Sequence, residues 1–224
     1  MIELRNLTKS YPTPAGRRYV FKNLNFTLAT GSGIGLIGRN GAGKSTLLRL
    51  LGGIDAPDSG QVITDQSISW PVALGAGFQG SLTARDNIRF VCRVMGFTGA
   101  AMKEKIEYVE RFAEIGDWFD LPMSTHSPGM RSRITFGTSM AFDFDYYLID
   151  EVLAVGDPIF RQKAARVFKE KLEKAGVILV SHNHKEIKDL CSSVIMVHNG
   201  QAMTYADVDE GLAAFNELME ESKA

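Results

Sequence analysis

The sequence contains no uninterrupted apolar run approaching the ~18 residues that a membrane-spanning helix needs, so no such helix is expected. Its first residues, Met1-Ile2-Glu3-Leu4-Arg5, interleave charge with apolar side chains and offer nothing like the apolar core of a signal peptide. The expectation is a cytosolic chain. A surplus of charge of either sign is also missing: 25 basic and 26 acidic residues leave a formal −1. That removes the broad positive field carried by nucleic-acid binders, and nucleic acid is not expected as a partner. Cysteine is scarce. Cys92 and Cys191 are far apart, without C-x-x-C spacing or companion histidines, which excludes a disulfide framework and argues against a zinc site. Both are read as reduced structural thiols. Internal repeats and low-complexity linkers are absent too. What is present is 224 residues with 45% hydrophobic content, enough for one large core or a core with a subdomain.

The apolar pattern changes along the chain. Residues 1–37 predict short strands at Ile2-Glu3-Leu4, Tyr19-Val20-Phe21 and Leu24-Asn25-Phe26-Thr27-Leu28, with a turn signal over Tyr11-Pro12-Thr13-Pro14-Ala15-Gly16. Pro57-Asp58-Ser59-Gly60 is another turn, followed by strands at Gln61-Val62-Ile63 and Ser67-Ile68-Ser69-Trp70. From about Thr83 to Phe119 the spacing becomes helical, with Ile88, Val91, Cys92 and Met95 on one face and Ile106, Val109, Phe112 and Ile115 on another. A further helix opens at Ser127-Pro128, where the serine caps orphan N–H groups and proline loses nothing at the first helical position. The last third alternates: strand 146–149, helix 160–174, strand 177–180, helix 185–190, strand 194–197, then an amphipathic helix over 207–221. Strands alternating with helices predict a parallel sheet covered on both faces.

The chemistry begins at Gly38-Arg39-Asn40-Gly41-Ala42-Gly43-Lys44-Ser45, which fits G-x-x-x-x-G-K-[ST] between the strand-like Ile34-Gly35-Leu36-Ile37 and the helix opened by Ser45-Thr46-Leu47. Spaced glycines let successive N–H groups point at phosphate oxygens, and the helix behind them offers its positive end. Lys44 adds a mobile cation, and the Ser45 hydroxyl is a ligand for Mg²⁺. A triphosphate is the ligand this loop suits.

Hydrolysis needs more: a carboxylate to manage Mg²⁺ and a group to orient water. Asp150-Glu151 ends a buried-type strand, so the pair should emerge at the carboxyl edge of the sheet, where ligands of open α/β sheets bind. Asp150 is assigned to Mg²⁺ through a water and Glu151 to polarising the nucleophile; a solvated acidic pair is the plain alternative. His182 closes the next strand at the same edge, placed to contact a γ-phosphate, whereas His184 falls in the loop or first turn beyond it. Gln79 lies where the strand region passes into the helical one. Its amide oxygen is a candidate ligand for Mg²⁺ or water, and spacing alone does not distinguish it from an ordinary loop glutamine.

In this order the motifs resemble the ATP-binding subunit of an ABC transporter: Walker A at 38–45, a Q-loop at Gln79, a signature region at Ser127-Pro128-Gly129-Met130-Arg131, Walker B ending at Asp150-Glu151, a D-loop at Gly156-Asp157 and a switch histidine at His182. The resemblance covers the whole chain. It implies a single ATP-binding domain over 1–224, α/β in class, with a P-loop NTPase (RecA-like) core and a mostly parallel sheet. An N-terminal antiparallel β region and an inserted α-helical subdomain complete it; residues 1–79 and 137–224 form the core and 80–136 the subdomain. It also implies ATP and Mg²⁺, and a head-to-tail pair of copies with two ATP molecules between them. Each ATP would meet residues 38–45 and Thr46 of one copy and Ser127 and Gly129 of the other. Tyr11 occupies the position of the aromatic that stacks on adenine. The family's usual signature is Leu-Ser-Gly-Gly-Gln, whereas this chain reads His126-Ser127-Pro128-Gly129-Met130.

A narrower resemblance rests on Thr8-Lys9-Ser10-Tyr11, the segment 52–60, Ile68-Ser69-Trp70-Pro71, the segment 77–83, Gly129-Met130-Arg131-Ser132-Arg133 and the segment 150–157. These look like bacterial capsular-polysaccharide export ATPases, with O-antigen and teichoic-acid exporters as similar relatives. They imply a separate integral-membrane permease, a capsule export machinery, and a peripheral place on the cytoplasmic face of the inner membrane. Two other classes stay open: a soluble ABC-type ATPase, which generally needs fused halves or a coiled-coil insertion, and a P-loop kinase, which needs no glutamate after Asp150.

Overall fold

A computed structural model of the chain describes residues 1–28, 33–72, 77–150 and 156–221, which fall into two compact units. The first holds residues 1–28, 33–71, 144–150 and 174–221. In it β1 (Ile2–Thr13), β2 (Gly16–Leu28) and β4 (Ser59–Thr64) form an antiparallel sheet in the order β2-β1-β4. A second sheet runs β5 (Ile68–Pro71), β6 (Tyr146–Asp150), β7 (Gly176–Val180), β3 (Ile34–Gly38), β8 (Ser193–His198) and β9 (Gln201–Tyr205). Its first five strands are parallel, and β9 is antiparallel to β8.

The period-two pattern decides what each face meets. Ile34 and Leu36 of β3, Ile178 and Val180 of β7, and Ile195 and Val197 of β8 join one core with Ile2, Leu4 and Leu7 of β1 and four leucines of α1 (Lys44–Leu51). The intervening position of β3, Gly35, meets Ile187 of α6 (His184–Leu190), so α6 lies on the opposite face, beside α7 (Val208–Glu221).

Residues 77–143 and 156–173 belong to the second unit, built from α2 (Ala84–Val94), α3 (Gly99–Ala113), α4 (Pro128–Met140) and α5 (Pro158–Leu172), with 3₁₀ turns at Gly116–Asp120 and Met123–Thr125. Phe112 is its centre, 5.7 Å from Phe136 and 5.2 Å from Phe160 between ring centroids. Burying such a ring contributes on the order of 2–3 kcal/mol.

Local chemistry explains where the elements depart from the sequence pattern. The helical stretch breaks after Met95, where Gly96 takes φ 80°, and resumes after Thr98. Strand β1 continues through Pro12, which pairs with Arg17; its pairing with β4 ends at Thr8, so Pro12 sits on an edge where its missing N–H is tolerated. Strand β9 has no counterpart in the predicted elements and makes the sheet mixed. Helix α5 begins two residues early because Asp157 caps it, accepting from Ile159 N and Phe160 N at 3.0 Å each, with Pro158 in the first turn.

Candidate functional site

Strand β3 delivers the chain into the glycine-rich loop. At Gly38 a side-chain carbon would sit 2.4 Å from the carbonyl oxygen of Val197 on β8, and at Gly43, φ 110°, it would sit 2.6 Å from Val20 and 2.8 Å from Phe21 of β2. The loop is therefore pressed between β8 and β2, and only glycine fits at its two ends. Gly43 takes the N-cap position of α1 without a side-chain cap, so no cap side chain competes with an anion for the first-turn N–H groups. Lys44, almost fully buried, folds back over the loop: Nζ donates to the carbonyl oxygens of Gly38 at 2.7 Å and Arg39 at 3.1 Å.

This loop floors an open pocket of about 1120 Å³ within the first unit. Residues 39–46 line it together with Tyr11 of β1, Asp150 at the end of β6 and His182 just beyond β7. The parallel sheet brings these last two close, since Asp150 pairs in register with Val180. His182 is exposed, and its neighbours fix the loop: Ser181 Oγ donates to Glu186 Oε2 at 2.8 Å and accepts from Asn183 N at 3.0 Å, while Asn183 caps α6. His184 is the first residue of α6. Ser45 and Asp150 offer a hydroxyl and a carboxylate to one cavity, the hard oxygen donors that suit Mg²⁺ alongside phosphate oxygens. Among the described residues there is no cluster of three or more His, Cys, Asp or Glu side chains that would cage a metal without a ligand's help.

Three of the expected site residues lie in the second unit. Gln79 has its backbone pinned to α2, donating from N to Asn87 Oδ1 at 2.7 Å and accepting from Asn87 Nδ2 at 3.1 Å. Ser127 caps α4, its Oγ accepting from Met130 N at 3.2 Å, with Pro128 in the first turn and Gly129 behind it. His126 is buried; its Nδ1 is 3.0 Å from the carbonyl oxygen of Pro122 and therefore carries the proton, while Nε2 has no partner among the described residues. Arg133 of α4 pairs with Asp157, tying α4 to the cap of α5. Glu151 lies outside the described residues.

The pocket also contains residues that sequence reasoning missed. Asn199, Gly200 and Gln201 wall it from the β8–β9 hairpin, and Tyr19 and Lys22 from β2. The signal for the hairpin was present: Asn199-Gly200, with φ 47° and 75°, is the favoured pair for a two-residue turn joining antiparallel strands.

Residues 21–154 match the family model for the ABC transporter. The chain is 55% identical over 92% of its length to the polysialic acid transport ATP-binding protein KpsT of Escherichia coli, covering 91% of that protein. It is 42% identical over 97% to the ATP-binding protein BexA of Haemophilus influenzae, covering 99% of it, and 34% identical over 91% to the O-antigen export system ATP-binding protein RfbB of Klebsiella pneumoniae, covering 84%. Among solved structures, the ATP-binding cassette MJ0796 in a dimeric post-hydrolysis state bound to ADP and Pi superposes with a TM-score of 0.70 at 21% identity, over 92% of this chain and 99% of that one.

Proposed function

Since the chain belongs to the ABC transporter family, we propose that it is the ATP-hydrolysing subunit of an exporter that moves capsular polysaccharide across the bacterial inner membrane. The observation that carries the ATPase reading is the single pocket joining Tyr11, the loop 39–46, Asp150 and His182. The much higher identity to the polysialic acid transport protein than to the O-antigen protein favours capsule export over its relatives.

In this reading adenine stacks on Tyr11 while the triphosphate lies on the N–H groups of the loop, with Lys44 at its β- and γ-phosphates. Ser45 and Asp150, which line the same pocket, would hold Mg²⁺, and the ion would neutralise phosphate charge. Glu151 polarises the attacking water and His182 contacts the γ-phosphate. A second copy completes the site with the Ser127 hydroxyl and the Gly129 N–H, carried on the positive end of α4. A permease is the other partner. Leu82, Phe90 and Val94, 41%, 55% and 68% exposed at and along α2, offer it an apolar face. No helix among the described residues is long and apolar enough to cross a membrane, so the proposed location, peripheral on the cytoplasmic face, depends on that partner.

The test is complementation in a capsule-export strain lacking its own ATPase. Wild type should restore surface polysaccharide, and Glu151→Gln should bind ATP and restore none. A wild-type protein that hydrolyses ATP in that strain without restoring polysaccharide overturns the substrate assignment; normal export by Glu151→Gln overturns the role of Glu151.

A further inference from the structure

Tyr11 is not a loosely placed ring. Its hydroxyl donates to Asp55 Oδ2 at 2.7 Å, and the other oxygen of Asp55 accepts from Lys9 Nζ at 2.5 Å. Lys9 is buried, donates also to the carbonyl oxygen of Ala56 at 2.7 Å, and its Nζ lies over the Tyr11 ring, 5.0 Å from the centroid. Lys9 and Tyr11 are two apart on β1, hence on one face, so one strand brings both the ring and the cation to the same carboxylate. Asp55 comes from the connection that follows α1, held there by its N donating to the carbonyl oxygen of Arg49 at 3.2 Å. One short helix thus carries the phosphate loop at its start and the tether of the aromatic wall just past its end.

We infer that Asp55 is a positioning residue for ATP: with Lys9 it fixes the Tyr11 ring so that one face backs onto the Lys9 ammonium and the other stands ready for adenine. The inference rests on the reading of Tyr11 as the adenine platform. It gives a function to the segment 52–60, one of those on which the capsule-type resemblance rests. A ring already held in its binding orientation loses less freedom when the base stacks on it, and that difference appears as affinity. Lys9 balances the Asp55 charge, so the carboxylate does not repel the triphosphate. A second clasp holds the same strand: Asp58 Oδ2 accepts from Ser10 N at 2.7 Å and Ser10 Oγ at 2.5 Å, and Arg17 reaches Asp58 Oδ1 at 3.1 Å.

The experiment is ATP titration by calorimetry, with EDTA present to prevent turnover, on wild type, Tyr11→Phe, Tyr11→Ala, Asp55→Ala and the Tyr11→Ala/Asp55→Ala pair. Tyr11→Ala should weaken ATP by roughly tenfold or more through lost stacking. Asp55→Ala and Tyr11→Phe should each weaken it by about 3- to 10-fold, the scale of one hydrogen bond. Once the ring is gone, Asp55→Ala should have no further effect on ATP. An Asp55→Ala penalty of equal size with and without the ring makes Asp55 merely structural and overturns the inference, as does full affinity in Tyr11→Phe. Full affinity in Tyr11→Ala instead overturns the adenine reading on which it stands. If Asp55→Ala does not fold because Lys9 is left buried without its counter-charge, Tyr11→Phe decides alone, since it leaves the Lys9–Asp55 pair intact.

Discussion

Replacing Lys44 by alanine separates what this side chain does for the folded loop from what it does for ATP. In the structure its ammonium is nearly buried and donates to the carbonyl oxygens of Gly38 and Arg39. In the proposed ATP complex the ammonium exchanges those carbonyl acceptors for phosphate oxygens. Two hydrogen bonds to a charged partner contribute about 3–6 kcal/mol together, and the two carbonyl bonds given up about 1–3 kcal/mol. Taking the middle of each range, the net is about 2.5 kcal/mol, roughly 70-fold in affinity. The same substitution leaves two loop carbonyls without their donor in the free protein, so urea unfolding without nucleotide should show a loss of about 1–2 kcal/mol. Both effects are expected together: weaker ATP by calorimetry and a lower unfolding midpoint without ligand. Lys44→Ala that binds ATP within threefold of wild type would refute the placement of the ammonium at the phosphates, whatever its stability.

Other expectations follow from single sites. Gly43→Ala forces a β-carbon to 2.6 Å from Val20 at φ 110°; it should lower Tm by several degrees and abolish ATP-dependent stabilisation, and a variant of wild-type Tm and affinity contradicts the close approach. Phe112→Ala should cost about 3–5 kcal/mol in urea unfolding, because the ring packs between Phe136 and Phe160; a loss under 1 kcal/mol would mean that the site collapses freely. The Asp157 carboxyl is held below its ordinary value of 3.8 by the Phe160 amide first, with burial opposing and the Arg133 side chain adding to the shift. Its stabilising contribution is then complete above that value and lost as pH falls through the lower folded one, so Asp157→Asn should flatten the decline in denaturation midpoint between pH 5 and pH 2, and an unchanged decline would contradict it. Burial pushes the Cys191 thiol up to about 12 and the Cys92 thiol upward as well, so neither should react with a thiol reagent at pH 8 until the protein is unfolded.

Much of this site was legible because its signals are local. The loop 38–45, the strand before Asp150 and the capped start of α4 at Ser127-Pro128 each depend on neighbours within a few residues. Asp157-Pro158 carries the same capping signal and was overlooked, as was the Asn199-Gly200 turn, which made β9 and a wall of the pocket invisible. The tether of Tyr11 was of another kind. Nothing near residue 11 points to Asp55, since the bond depends on α1 and its following turn folding back beside β1. The break after Met95 illustrates the converse limit: apolar spacing alone carries the helical pattern across Gly96, and backbone conformation interrupts it.

The strand order has a consequence for the protein while it is being made. Strand β3, which delivers the phosphate loop, has β7 and β8 as its neighbours: Ile34 lies beside Ile178 on one side and Ser193 on the other. A chain still emerging from the ribosome therefore exposes its nucleotide motif long before the strands that support it exist. Nucleotide cannot template the early steps of folding here. ATP should instead report on completion, with binding appearing only in nascent chains long enough to have released β8.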